Sequence, residues 1–102
     1  MKHARDNIKE QCLSNIKKYE QWGTLLTGQS WIHLYNSNAP MSALTIHNGL
    51  EYIKANMKLR VLQDDSHTDK EKEHRLRQID VDIHRLEEIL MHDLEYRGLL
   101  TP

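Results

Sequence analysis

Apolar residues recur with a helical period in three separate stretches of the chain. In the first, Ile8, Cys12, Ile16 and Tyr19 step by four, four and three, the spacing that lines one side of an α-helix. Asn7, followed three residues later by Glu10, reads as a capping-box-like start, and Gly23 as a left-handed stop, so a helix is expected over about 7–22. In the second, Ile46, Leu50, Ile53, Met57 and Val61 predict a helix over about 41–62, broken by Asp64, Asp65 and Ser66. Pro40 suits its first turn, and Ser42 is a competing cap.

The third stretch is the longest. Leu76, Ile79, Ile83, Leu86, Leu90 and Leu94 follow a three-four step close to a heptad seam. Thr68 and Glu71 form a capping box before it and Gly98 a stop behind it, which predicts a helix over about 69–97. Opposite charges four apart, Glu71 with Arg75, Glu73 with Arg77 and Asp93 with Arg97, support it. At 1.5 Å per residue such a helix spans roughly 43 Å, so part of it is expected to project.

Between the first two helices, the loop 24–40 is rich in turn formers yet carries Trp31, Ile32, Leu34 and Tyr35. Two readings are open: a lid over the helix ends, or exposed anchors for a partner. The resulting expectation is one all-α domain over residues 1–102, a three-helix bundle or helical hairpin with a long C-terminal helix and an aromatic loop. Helices two and three form an antiparallel hairpin, with helix one lying across it.

Composition narrows the function classes. With 38% hydrophobic and 28% charged residues in a chain of 102, the polypeptide is long enough for one core and too apolar for disorder. Its net charge of −1 hides an asymmetry. Residues 1–62 carry eight Lys/Arg against four acids, and residues 63–102 carry six against eleven. Opposed halves suit electrostatic selection of a partner or a subunit contact, and disfavour a wholly basic nucleic-acid binder. One cysteine, no secretory leader pattern and no run of 18 apolar residues lead to the expectation of a cytoplasmic protein without membrane association. Cys12 falls on an apolar stripe and reads as core.

No catalytic chemistry stands out. The seven histidines include no pair three or four apart, the spacing a helical metal site needs; His84 and His92 are eight apart with Glu88 between them. The acidic pairs Asp64-Asp65, Asp80-Asp82 and Glu87-Glu88 lie at a helix cap or on a predicted polar face. Phosphate-binding glycine loops, nucleophile elbows and paired cysteines are missing. The expectation is a non-enzymatic protein with no catalytic residue, cofactor or metal. For nucleic acid, Arg5, Lys9, Lys17 and Lys18 on helix one, with Lys54, Lys58 and Arg60, are the residues that would touch phosphates.

Two short patches, Tyr19-Glu20-Gln21-Trp22-Gly23 and Ile79 to Leu86 leading to Leu94-Glu95-Tyr96-Arg97-Gly98-Leu99, resemble the shorter, Trp-Gly type of lambdoid-phage Q antitermination proteins. The resemblance covers about a fifth of the chain. Members of that family continue past the position of Tyr96-Arg97-Gly98 into a DNA-reading helix, whereas Leu99, Leu100, Thr101 and Pro102 follow here. The resemblance implies a phage-borne protein that acts on a transcription complex.

The sequence therefore leads to the expectation of a stoichiometric binding protein that docks on a larger nucleoprotein machine, such as a nuclease effector or transcription complex, and modulates or inhibits it. Its contact residues are expected to be Asp80, Asp82, Glu87, Glu88, Asp93 and Glu95 on an acidic third helix, mimicking nucleic acid, with Trp31 and Tyr35 as apolar anchors. A homodimer is a further expectation. The alternative is a dimeric transcription regulator that touches DNA through the basic helix one.

Overall fold

The computed structural model describes the backbone of residues 4–26 and 36–102, and the side chains of 6–22 and 36–102. Three helices dominate it: α1 (Ala4–Leu26), α2 (Ala43–Gln63) and α3 (Asp69–Tyr96). Two short strands, β1 (Met41–Ser42) and β2 (Leu100–Thr101), pair in parallel with Met41 opposite Leu100. The fold is all-α.

The helix ends follow local chemistry in α2 and α3. Ser42 caps α2, its hydroxyl accepting from the Thr45 N–H at 3.1 Å; Pro40 precedes the helix rather than entering its first turn. Thr68 caps α3 with a complete capping box closed by Glu71. At the other end Gly98 takes a φ of +72°. There its N–H donates to the Glu95 carbonyl at 3.1 Å and that of Leu99 to the Leu94 carbonyl at 2.8 Å, which is the Schellman arrangement. This turn reverses the chain, so β2 runs alongside β1 in the direction in which β1 enters α2.

The expected ends of α1 are corrected. The helix begins at Ala4 and runs through Gly23 to Leu26, so Asn7 is an interior residue and Gly23 is no stop. A glycine inside a helix costs about 1 kcal/mol relative to alanine, and it ends the helix only when its backbone turns left-handed. The flanking residues Ala4, Arg5, Leu25 and Leu26 are strong helix formers.

α2 is the central element. Its Ile46 and Leu50 join Met41 of β1 and Ile79, Ile83, Leu90 and Leu94 of α3 in one buried cluster. Its opposite side, marked by buried Asn48 and Ala55 two turns apart, is available to α1, whose Ile8, Cys12 and Asn15 line a small cleft with Ala55, Lys54 and Lys58. α1 thus packs along α2 and not across both arms of the hairpin. Met57, from the predicted stripe, is exposed. α3 does not project, because its buried residues run from Lys72 to Leu94, nearly its full length.

Candidate interaction surface

An α-helix turns by about 100° per residue, so positions seven or eleven apart share a side while neighbours do not. The six acidic residues of α3 expected to make contact consequently fall on three sides. Asp80 and Glu87 face α2: Lys58 Nζ lies 2.6 Å from Asp80 Oδ1, and His47 Nδ1 lies 2.6 Å from Glu87 Oε1. These two acids hold the hairpin arms in antiparallel register. Glu88 and Glu95 occupy the next side, where His84 Nε2 sits 3.1 Å from Glu88. Asp82 and Asp93 occupy the third, Asp82 accepting from Gln78 at 2.9 Å and Asp93 lying 3.2 Å from Arg97 Nε. Of the six expected contact residues, Asp80 and Glu87 thus meet α2, while Asp82, Glu88, Asp93 and Glu95 have their partners within α3 or lie on its outward sides.

The same outward sides carry apolar residues that the buried stripe excludes. Ile89 is 56% exposed and Tyr96 87% exposed, and Leu86 joins them at the surface. Glu88, Ile89, His92, Asp93 and Tyr96 line a shallow groove. Ile89 and Tyr96 are not among the contact residues expected from the sequence. Their signal was present: they are seven apart and lie off the 79-83-90-94 stripe, so no core position was left for them. Trp31 and Tyr35 lie outside the described residues.

Elsewhere the chemistry is structural. Cys12 is 4% exposed, and burial pushes its thiol up, opposed by Lys58 and Lys54 and reinforced by Asp80; a protonated, enclosed thiol is a poor nucleophile. Of the basic residues considered for phosphate contact, Lys54 pairs with Glu51 at 2.8 Å and Lys58 with Asp80. Lys9, Lys17 and Lys18 remain exposed on α1, with Lys18 Nζ 5.1 Å from the ring centre of Tyr19. Among the described residues no group of three His, Cys, Asp or Glu side chains is placed to hold a metal ion. No described helix is long and apolar enough to cross a membrane.

At the turn between α2 and α3, Asp64 accepts from the Ser66 N–H at 2.9 Å and from its hydroxyl at 2.6 Å. Glu71 accepts from the Thr68 hydroxyl at 3.0 Å, and its second oxygen lies 3.1 Å from His67 Nδ1. The Ser66 hydroxyl chiefly holds the Asp64 carboxyl below its usual range, and the His67 contact does the same for Glu71. The expected Glu71–Arg75 pair is replaced by this arrangement, while Glu73 pairs with Arg77 as expected. No protein-family model, curated protein or solved structure matches this chain.

Proposed function

We propose that the chain is a non-enzymatic binding protein that docks, through the outward side of the C-terminal half of α3, on a basic surface of a larger nucleoprotein machine and modulates or inhibits it. The observation that carries this reading is the exposure of Ile89 and Tyr96 within a frame of Asp82, Glu88, Asp93 and Glu95. Apolar anchors in a mainly acidic frame, interrupted by the exposed Arg85, suit a steered interface: the charges speed encounter and reject wrong partners, and the desolvated anchors supply affinity. Asp80 and Glu87 are set apart from it because their partners, Lys58 and His47, come from the neighbouring helix α2. The resemblance of the Tyr19–Gly23 and Leu94–Leu99 patches to phage antitermination proteins is in keeping with a phage-borne origin and with a transcription complex as the target.

Affinity capture from the native host tests the reading. Wild-type protein is expected to retain a nucleic-acid-binding complex that Tyr96→Ala and Asp82→Lys/Glu88→Lys variants lose, while an exposed change on α1, Lys17→Ala, leaves capture intact. Equal capture by every variant refutes the reading. Retention of the free protein on duplex DNA, weakening steeply with salt, would favour a DNA-binding regulator acting through α1 instead.

A further inference from the structure

The outward side of α3 carries a second three-four seam. Asp82, Arg85, Ile89, His92 and Tyr96 step by three, four, three and four, the spacing that presents side chains to a neighbouring helix. The first seam, through Ile79, Ile83, Leu90 and Leu94, is buried against α2. All five residues of the second are exposed.

This seam is its own complement about Ile89. Arg85 stands four residues before Ile89 and Asp93 four after; Asp82 stands seven before it and Tyr96 seven after. At about 100° per residue, all four lie within about 40° of Ile89 around the helix. When two copies of α3 meet antiparallel across a two-fold axis at Ile89, each position faces the one equally far beyond the axis. Arg85 then faces the second copy's Asp93 and Asp82 faces its Tyr96, each pair occurring twice, while the two Ile89 side chains meet at the centre.

Arg85 separates a second copy from other occupants. Its side chain is exposed and makes no ion pair among the described residues, although Asp82, Glu88 and Asp93 are near it in sequence. Those three are engaged from their own helix or its cap, by Gln78, His84 and Arg97. A carboxylate offers about four lone-pair sites, so Asp93 can accept from Arg97 and from a second guanidinium as well. Toward a basic surface Arg85 is a like charge; toward a second copy it is the complement of an acid. Tyr96, 87% exposed, adds an aromatic ring whose hydroxyl can donate to Asp82.

We infer that the free protein forms a symmetric dimer in which α3 packs antiparallel against α3 of a second copy, with Ile89 on the two-fold axis and an Arg85–Asp93 pair on either side. One patch is used twice, as two-fold symmetry requires. The stretch from Asp82 to Tyr96 is roughly 21 Å of helix. Such a contact is small, and a Kd on the order of 100 μM is expected. The dimer does not rest on the docking reading, since it needs no target; a target taking the same side would displace the second copy.

Sedimentation velocity of the purified full chain between about 5 and 500 μM tests the contact, and wild type is expected to pass from monomer to dimer over this range. Ile89→Lys sets two ammonium groups against each other on the axis, and Arg85→Glu sets acid against acid on both sides of it. Each changes an exposed side chain and is expected to weaken dimerisation about tenfold or more. Asp93→Arg alone sets cation against cation and should act likewise. An equimolar mixture of Arg85→Glu and Asp93→Arg chains is expected to recover the dimer, because every pair across the axis again joins an acid to a base. A parallel or unrelated contact gives no such recovery. A chain that stays monomeric throughout, a dimer indifferent to Ile89→Lys and Arg85→Glu, or no recovery in a mixture of folded chains overturns the proposal. If Asp93→Arg does not fold, the first two variants decide the matter. Self-association is read on the purified chain and docking by capture from the host, so the two readings fail separately.

Discussion

Leu94 and Ile89 belong to one helix, yet their surroundings predict opposite responses to truncation. Leu94 is 0% exposed and lies in the cluster with Ile46, Leu50, Leu90 and Met41. Leu94→Ala removes most of an enclosed side chain and leaves a cavity between two helices joined by a short turn. Substitutions of this kind cost about 2–5 kcal/mol, and a value of about 3 is expected here. That is a large share of a total stability on the order of 5–15 kcal/mol. Ile89 is more than half exposed, so Ile89→Ala forfeits little burial, and alanine's better helix propensity returns a few tenths of a kcal/mol. A change within about 0.5 kcal/mol is expected. Urea denaturation followed by far-ultraviolet circular dichroism separates the two, because with a slope of about 1–2 kcal/mol per molar the Leu94 variant shifts its midpoint by roughly 1.5–3 M. Equal costs, or a larger cost at Ile89, would mean that α3 turns its other side to α2 and would remove the basis for the docking side.

Three further outcomes follow from local geometry. Gly98→Ala meets no neighbouring atom within 4 Å, so its cost is the left-handed backbone alone, at φ +72°; about 1 kcal/mol of destabilisation is expected in chemical denaturation, and an unchanged midpoint would contradict the Schellman turn. The Asp64 and Glu71 carboxyls titrate below their usual range. Their contribution is therefore present at neutral pH and is lost as pH falls through the lowered pKa values, below about pH 4. The melting temperature of an Asp64→Asn/Glu71→Gln variant should accordingly fall less steeply than wild type on acidification, and parallel curves would show that neither group is coupled to folding. Cys12, enclosed with its thiol pushed up, should react with a thiol reagent far more slowly than free cysteine at neutral pH and accelerate with denaturant; rapid labelling of the native chain would show α1 detached from α2.

Much of the fold is legible in short windows of sequence. The bounds of α3 rest on Thr68, Glu71 and Gly98, whose capping interactions reach only three to five residues, and its buried side rests on a stripe with helical period. The candidate docking side is only half legible. Its acids could be enumerated, but Ile89 and Tyr96 emerge only once the other stripe is seen to fill the core. α2 is less transparent still, because it is covered by α3 on one side and α1 on the other and its buried positions form two stripes.

By itself, then, the sequence determined what depends on neighbours along the chain: three helices, the caps of α2 and α3, an all-α class and the opposed charges of the two halves. Tertiary structure decided which charges remain available. Asp80 and Glu87 look no different in sequence from Asp82 and Glu88, but antiparallel packing sets Lys58 and His47 against the first pair and leaves the second outward. It likewise buried Lys72 against the Leu62 carbonyl at the end of α2, and paired Met41 with Leu100 in strands too short to have a pattern of their own. The physical reason is common to all three. Helical periodicity and capping are summed over a few residues, whereas ion pairing, desolvation and strand pairing depend on distances that arise only when remote segments meet.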